Sequence, residues 1–494
     1  MHISHKVNDG EGTNLISNRE MKITHTKGRM QTMPAEAGGF PKEGRTESEN
    51  TWGAQTFMEI SEGSLVVRQL SNERLLELIV SSENLNAAYK QVKSNGGAGG
   101  IDRMDVEALL PYLRAHRDEL ITSIMDGRYR PNPVRRVEIP KDNGKKRLLG
   151  IPTVVDRVIQ QAISQVLIAI YDGTFSESSF GFRPHRSAHG ALFKVREYVD
   201  AGYKECVDLD LEKFFDTINH SRMIEILSRT IKDGRVISLI HKYLNAGIIV
   251  GGEYEASTMG VPQGGPLSPV LSNIMLNELD KELERRGHKF VRYADDCMIL
   301  CKSRKGAERV CKSITDFIER RLKLRINREK TIVDRIHKVK YLGYSFYVRN
   351  QRCQFRLHAK TKAKVRANLK ELTNRNNGMG YQKRKDELKM FIRGWMEYYK
   401  FACGKSFLRT TDAWLRRRIR MCIWHNWKRV KTRCTNLMKC GIDFKHAIKY
   451  AHTRKGSWCI AKSRMLSTAM TDERLRLAGY PCLTDYSYER LSKR

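Results

Sequence analysis

The chain has no C-x-x-C pair, no apolar run long enough to span a bilayer, and far too few acids to balance its bases. Its eleven cysteines lie at 206, 297, 301, 311, 353, 403, 422, 434, 440, 459 and 482. An odd count at irregular spacing excludes a disulfide framework and a zinc ribbon. Cys422 and His425, followed by Cys434 and Cys440, are the one group with metal-like spacing, and helix-face packing explains them better. The most apolar stretch, residues 162–171, is short and interrupted for a membrane span. The N-terminus lacks the apolar core of a signal peptide. No membrane association and a cytoplasmic location are expected. Against 90 Lys+Arg stand 55 Asp+Glu, a formal charge of +35. An excess of that size points to a polyanionic partner, nucleic acid above all.

What is present suffices for folded domains. With 494 residues, 40% of them hydrophobic, the chain should build two to four domains with real cores. Residues 1–65 are polar and aperiodic, which predicts a disordered tail. Order is expected from about residue 70, with helices over 75–79 and from residue 85, and again over 109–125. Between them lies Gly96-Gly97-Ala98-Gly99-Gly100, a mobile or closely approached backbone. Asp142-Asn143-Gly144 reads as the turn of a basic hairpin spanning 135–152. A buried helix follows over 156–170, then a loop over 175–186 containing Phe180-Gly181-Phe182-Arg183-Pro184.

The segment 206–211 alternates apolar and acidic residues, as a strand does. Pro262-Gln263-Gly264 sits in a Gly/Pro loop, after which Ser268 is the expected N-cap of a helix through 279, with Pro269 at its first position. Residues 290–300 read as a hairpin with Ala294-Asp295 at its turn. A helix over about 306–323, a lysine-bearing loop over 327–331 and a strand ending in Tyr341-Leu342-Gly343-Tyr344 come next. From 351 to 460 there are 29 Lys+Arg against 6 Asp+Glu, a net +23, and five of the six tryptophans. The tryptophans at helical spacing read as core; the charge requires a polyanion opposite it.

An isolated Asp-Asp pair at a turn is ordinarily an acidic hairpin tip. Here Asp210, 85 residues earlier, ends a strand that the intervening elements can bring beside the hairpin. Converging carboxylates suit Mg²⁺, which prefers oxygen and uses few protein ligands, and two such ions can drive an in-line phosphoryl displacement. Neighbouring strand residues point to opposite faces. That makes Asp295 the expected ligand and Asp296 the secondary one. Asp208 could share the face of Asp210, and Asp216 could cap the next turn.

Taken in order, these blocks resemble the group II intron-encoded reverse transcriptase/maturase family over roughly residues 70–450. The resemblance rests on Tyr293-Ala294-Asp295-Asp296, Asp210 with Phe214-Phe215-Asp216, the Pro262-Gln263-Gly264 loop, the 139–152 hairpin, and Arg393-Gly394-Trp395 followed by Tyr398-Tyr399. It implies an α+β right-hand polymerase fold. Residues 66–205 would form the N-terminal extension and fingers with some palm, 206–350 the palm with its catalytic antiparallel sheet, and 351–450 the helical thumb and maturase domain. Residues 451–494 would be a short C-terminal segment that could contact DNA.

It further implies that Asp210, Asp295 and Asp296 are catalytic and hold two Mg²⁺. Lys141 and Arg147 would grip the incoming triphosphate, Phe215 would exclude a 2′-hydroxyl, Gln263 would touch nucleotide or template, and Lys330 would protonate pyrophosphate. Tyr341 to Tyr344 would support the primer end. Arg393, Arg416, Arg417, Arg418, Arg420, Lys428 and Arg429 would face RNA. The expected partners are intron RNA, an RNA template with a DNA primer, deoxynucleoside triphosphates and target DNA. The chain departs from many relatives in lacking paired cysteines after the basic region, so no endonuclease is expected. Two other readings stay open: a splicing-only maturase, and a bacterial reverse transcriptase of the retron, diversity-generating or defence kind.

Overall fold

The computed structural model describes residues 73–140 and 146–486. The expected tail over 1–65, the hairpin turn at 142–144 and Lys141 lie outside the described residues. Helices α1 (Leu75–Ile79), α2 (Ser82–Asn95) and α3 (Leu109–Met125) open the fold. Ser81 caps α2 by accepting from the Asn84 amide, a role short polar residues fill well. Strands β1 (Val134–Pro140) and β2 (Lys146–Ile151) form the expected basic hairpin.

Helix α4 (Val154–Tyr171) is the central post of the first core. Together with the following turn, Val154–Thr174 is long and apolar enough to cross a membrane by length and composition. The apolar segment is thus longer than the sequence suggested, because Asp156 and Arg157 continue it as buried members. Asp156 accepts from Tyr129 Oη at 2.6 Å and from Thr153 Oγ1 at 2.7 Å. Arg157 donates from Nε to the Pro152 carbonyl and through Nη1 to the Gly96 carbonyl. The glycine loop is therefore held from below by a buried guanidinium.

Helix α5 (Ala188–Asp200) leads into β3 (Glu205–Leu209), the short α6 (Phe214–Thr217), α7 (His220–Thr230) and α8 (Gly234–Leu244). Strands β4 (Ile248–Val250) and β5 (Glu253–Glu255) then extend the fingers sheet in the order β2-β1-β4-β5, with β1 and β4 parallel. Helix α9 (Ser268–Arg285) follows. Ser268 does not cap it: Leu267 holds that position, and Ser268 Oγ donates to the Pro262 carbonyl at 2.6 Å. The serine closes the preceding loop rather than the helix start.

Strands β6 (Lys289–Tyr293) and β7 (Asp296–Cys301) form the predicted hairpin. Helix α10 (Arg304–Phe317) and β8 (Ile332–Arg335) complete a four-stranded, wholly antiparallel sheet ordered β6-β7-β3-β8. Residues 341–344 do not end a strand. Gly343 has φ +83° and Leu342 φ +48°, and Tyr341 and Tyr344 bond to each other's backbone across a tight turn. Strand β9 (Tyr344–Arg349) starts there and pairs with β10 (Arg352–Leu357).

Helices α11 (Ala359–Leu372), α12 (Tyr381–Tyr399), α13 (Lys405–Asn426), α14 (Val430–Lys439) and α15 (Phe444–Ala451) follow, with three shorter ones to Leu477. Their common core runs from Val365 to Leu483, with Trp424 fully buried. Residues after 451 therefore share the core of the helices before them instead of forming a separate segment. A third core joins α5 and the antiparallel sheet to β9, β10 and α12 through Tyr344, Phe346 and Phe355.

Candidate active-site cleft

The register of the antiparallel sheet determines which carboxylates meet. Asp208 of β3 stands opposite Met298 of β7, and Leu209 opposite Cys297. One step further along that register sets Asp210 against Asp296. On the other side of β3, Asp208 stands opposite Ile332 of β8; the pairing ends there, and the turn before β8 brings Lys330 to Asp210. Directly opposed residues of a sheet share a face. Asp296, at the start of β7, and Asp210, just past the end of β3, thus share a face; Lys330 joins their row from the turn that precedes β8, with Asp208 one step behind.

Contacts agree with this row. Lys330 Nζ lies 2.9 Å from Asp210 Oδ2, the Asn327 amide donates to the Asp210 carbonyl at 2.8 Å, and Thr331 Oγ1 accepts from the Asp210 amide. A cavity of about 150 Å³ opens over the row, lined by Asp208, Leu209, Asp210, Asp296, Lys330, Lys340 and Tyr341. Desolvation and the charges of Asp296 and Asp210 push the Asp208 carboxyl up to about 7. Asp296 is exposed at the start of β7; partial desolvation, then the charges of Asp295 and Asp210, push its carboxyl up to about 6, and Lys340 opposes that shift. Desolvation, and second to it the neighbouring carboxylates, thus favour the protonated forms of Asp208 and Asp296 in the cleft without a bound cation.

Of the adjacent pair, the register favours Asp296, not Asp295, as the residue facing Asp210. Asp295 occupies the turn and acts on Asp296 through its charge. Alternation along a strand leaves open which of two adjacent residues faces the cleft; the register sets Asp296 on the side of Asp210. Asp208 shares the face of Asp210, as its spacing allowed, and Tyr341 lines the wall; Lys340 was not expected there. The alternation Asp208-Leu209-Asp210 was the available signal for Asp208.

The turn itself is braced from behind. Arg292 and Asp280 of α9 are both fully buried and paired, Nε to Oδ1 at 2.8 Å and Nη2 to Oδ2 at 2.6 Å. Arg292 Nη1 also donates to the Ala294 carbonyl at 2.9 Å and to Asn273 Oδ1 at 3.0 Å, and Nη2 to Ser179 Oγ at 2.7 Å. Ala294 sits at φ +56°. Gly181 packs against it so closely that a Cβ there would collide with the Ala294 nitrogen.

Among the described residues, no three His, Cys, Asp or Glu side chains converge closely enough to hold an ion unaided. Mg²⁺ does not need such a cage, because water and phosphate oxygens complete its shell. The raised carboxyls over an open cleft fit that donor chemistry. The cysteine group at 422–440 does not: Cys422 is buried and its thiol donates to the Thr373 carbonyl.

The remaining expected residues are scattered around the cleft. Phe215 is buried in the first core, edge-on to Phe214, and its carbonyl accepts from Val261 at 2.6 Å. The Gln263 carbonyl accepts from the Gly150 amide at 2.6 Å, tying its loop to β2. Arg147 stands in β2 opposite Ile139. Tyr341 and Tyr344 are buried supports, with Tyr341 Oη on the Val291 carbonyl and Tyr344 Oη on the Tyr398 carbonyl.

In the helical region, Arg393, Lys428 and Arg429 are exposed. The arginines of α13 are not an open RNA-facing row. Arg416 and Arg420 both pair with Asp472, at 3.0 and 3.1 Å. Arg417 stacks on the Trp458 ring at 3.7 Å. Arg418 donates to Thr373 Oγ1 at 2.6 Å and to the Lys370 carbonyl at 2.9 Å. These guanidiniums clamp neighbouring helices, which consumes the donors that phosphate contacts would need.

Comparison with known proteins supplies the context. The family model for reverse transcriptase (RNA-dependent DNA polymerase) matches residues 139–346, and that for the group II intron, maturase-specific domain, residues 362–441. Protein YkfC of Escherichia coli is 34% identical over 305 residues, 54% of this chain and 80% of that protein. The group II intron-encoded protein LtrA of Lactococcus lactis is 32% identical over 345 residues, 56% of this chain and 57% of LtrA. A chain of the Cas6-RT-Cas1–Cas2 complex aligns over 50% of this chain and 42% of its own length, with 25% identity and a TM-score of 0.32.

Proposed function

Because the chain belongs to the group II intron-encoded reverse transcriptase/maturase family, we propose that it synthesises DNA on an RNA template. We further propose that it binds a folded intron RNA to assist splicing and, through reverse transcription, mobility. The observation that carries the polymerase reading is the row Asp296, Asp210, Lys330 beneath one cleft, with Asp208 behind it.

Asp210 and Asp296, flanked by Asp208 and Asp295, would hold two Mg²⁺, which when bound supply the positive charge that activates a primer 3′-hydroxyl and stabilises the leaving oxygen. The chain's own residues do the positioning. Lys330 pairs with Asp210 and would meet a triphosphate oxygen, where its Nζ would give a proton to departing pyrophosphate. Phe215 limits the room available beside a sugar, and Gln263 fixes its loop against the strand that carries Arg147. Lys141 and Arg147 would meet the triphosphate from the fingers. The exposed Arg393, Lys428 and Arg429 supply phosphate contacts for intron RNA, whose recognition by shape and backbone suits a strongly basic helical surface. Extension of a DNA primer on an RNA template, with sequencing of the RNA that co-purifies from the host, tests both activities. DNA synthesis with an intron RNA bound supports the reading; no synthesis under any divalent-ion condition removes the first half.

A further inference from the structure

Within Phe180-Gly181-Phe182-Arg183-Pro184 the two phenylalanines have opposite fates. Phe180 is buried, whereas Phe182 is 46% exposed. Among the described residues the Phe182 ring has no aromatic or cationic partner. A single exposed apolar side chain is ordinary. The backbone beneath this one is not. Phe182 has φ +56°, a conformation that bulky L-residues rarely adopt and that Gly or Asn would take at little cost.

The surrounding chain enforces it. The Phe180 amide donates to the Arg292 carbonyl at 2.9 Å. Gly181 lies against the Ala294 nitrogen, and its carbonyl accepts from Asn273 Nδ2 at 2.9 Å. On the other side Arg183 is buried, bonded to Asp172 Oδ1 at 2.8 Å and to the Ser176 and Ser179 carbonyls at 2.6 and 3.1 Å. Phe182 is thus pinned between two anchored neighbours, with Gly181 packed on the hairpin tip that carries Asp295 and Asp296 and the Phe182 side chain exposed. Strain kept in place by surrounding contacts is a mark of functional sites.

We propose that Phe182 is a stacking platform for a nucleobase at the growing end of the template–primer duplex. The proposal rests on the polymerase reading for what occupies the cleft. The base's π-face, rather than its hydrogen-bonding edge, would be recognised, so the contact would tolerate any sequence.

The test places 2-aminopurine at the duplex end, in the template strand in one arm and the primer strand in the other, and titrates it with the full chain without nucleotides. Wild type and Phe182→Trp are expected to quench the probe in one arm, which identifies the strand. Phe182→Ala and Phe182→Gly are expected to lose quenching and to bind the duplex about tenfold more weakly. Phe182→Gly separates this from a structural role, because glycine relieves the backbone and should keep or raise the melting temperature. Phe182→Gly that binds and quenches like wild type overturns the proposal. Because quenching needs no synthesis, failure of primer extension by wild type would count against the polymerase reading and leave the stacking result legible.

Discussion

Arg292 and Asp280 form an ion pair with no exposed side-chain surface, and the same guanidinium holds the Ala294 carbonyl of the hairpin turn that carries Asp295. Breaking such a pair from one side leaves a buried charge without its partner, at a cost of about 3–5 kcal/mol. Asp280→Ala is therefore expected to lower stability by that order. Arg292→Lys is expected to retain the charge but lose the fork that reaches Asp280 and Ala294 together. Denaturant unfolding checks the first. For the second, primer extension should fall further than stability does, and parallel losses would speak against a role in setting the turn.

The cleft carboxyls give a pH dependence. Asp208 is raised to about 7 and Asp296 to about 6, while an unfolded aspartate titrates near about 3.9. Between those values the folded protein binds more protons than the unfolded one. The stability these groups contribute is complete below about pH 4 and is lost as pH rises through about 6 and 7. Without divalent ions, Asp208→Asn should flatten this slope and be about 1–2 kcal/mol more stable than wild type at pH 8, after allowance for solvent screening. Urea melts in chelator across that range decide it; identical slopes for wild type and variant would show that the carboxyls are not crowded.

Lys330 bonds Asp210 at the open rim of the cleft, with the lysine side chain 59% exposed. An ion pair so exposed contributes only about 0–1 kcal/mol to stability. Lys330→Met is expected to leave unfolding nearly unchanged while reducing primer extension by about a hundredfold, the scale of a lost proton donor. Wild-type extension by this variant would confine Lys330 to the ion pair.

The arginines of α13 and the exposed bases after it should separate cleanly. Arg418→Ala removes hydrogen bonds to Thr373 and Lys370 and is expected to destabilise the helices by about 1–3 kcal/mol, with the salt dependence of RNA binding unchanged. Lys428→Ala and Arg429→Ala should leave stability alone, weaken RNA binding and reduce the slope of log K against log salt by about one each. The opposite assignment in both assays would restore α13 as the RNA-facing surface.

Much of this site is legible in the sequence because alternation and turn chemistry are local. The hairpin, its turn at Ala294-Asp295, and the strand that ends just before Asp210 all follow from patterns a few residues long. Register is not local. That Asp296 faces Asp210 depends on how β3 slides against β7, which no stretch of either strand encodes alone. The arginines of α13 failed for a related reason: Arg416 and Arg420 are claimed by Asp472, more than fifty residues away, and a basic run looks the same whether its partners are phosphates or neighbouring helices. Arg292 did carry a signal, being a charge flanked by apolar residues inside a buried strand, which requires a buried partner. The sequence could not say that the partner is Asp280.

The most direct measurement compares wild type with Asp210→Asn in two assays on one preparation: extension of a DNA primer on an RNA template, and binding of the intron RNA. Asp210 stands beside Asp296 and is bonded by Lys330, so its neutralisation should abolish DNA synthesis while RNA affinity stays within about twofold of wild type, because no RNA-binding side chain is touched. Full DNA synthesis by Asp210→Asn would contradict the assignment of this cleft as the polymerase centre.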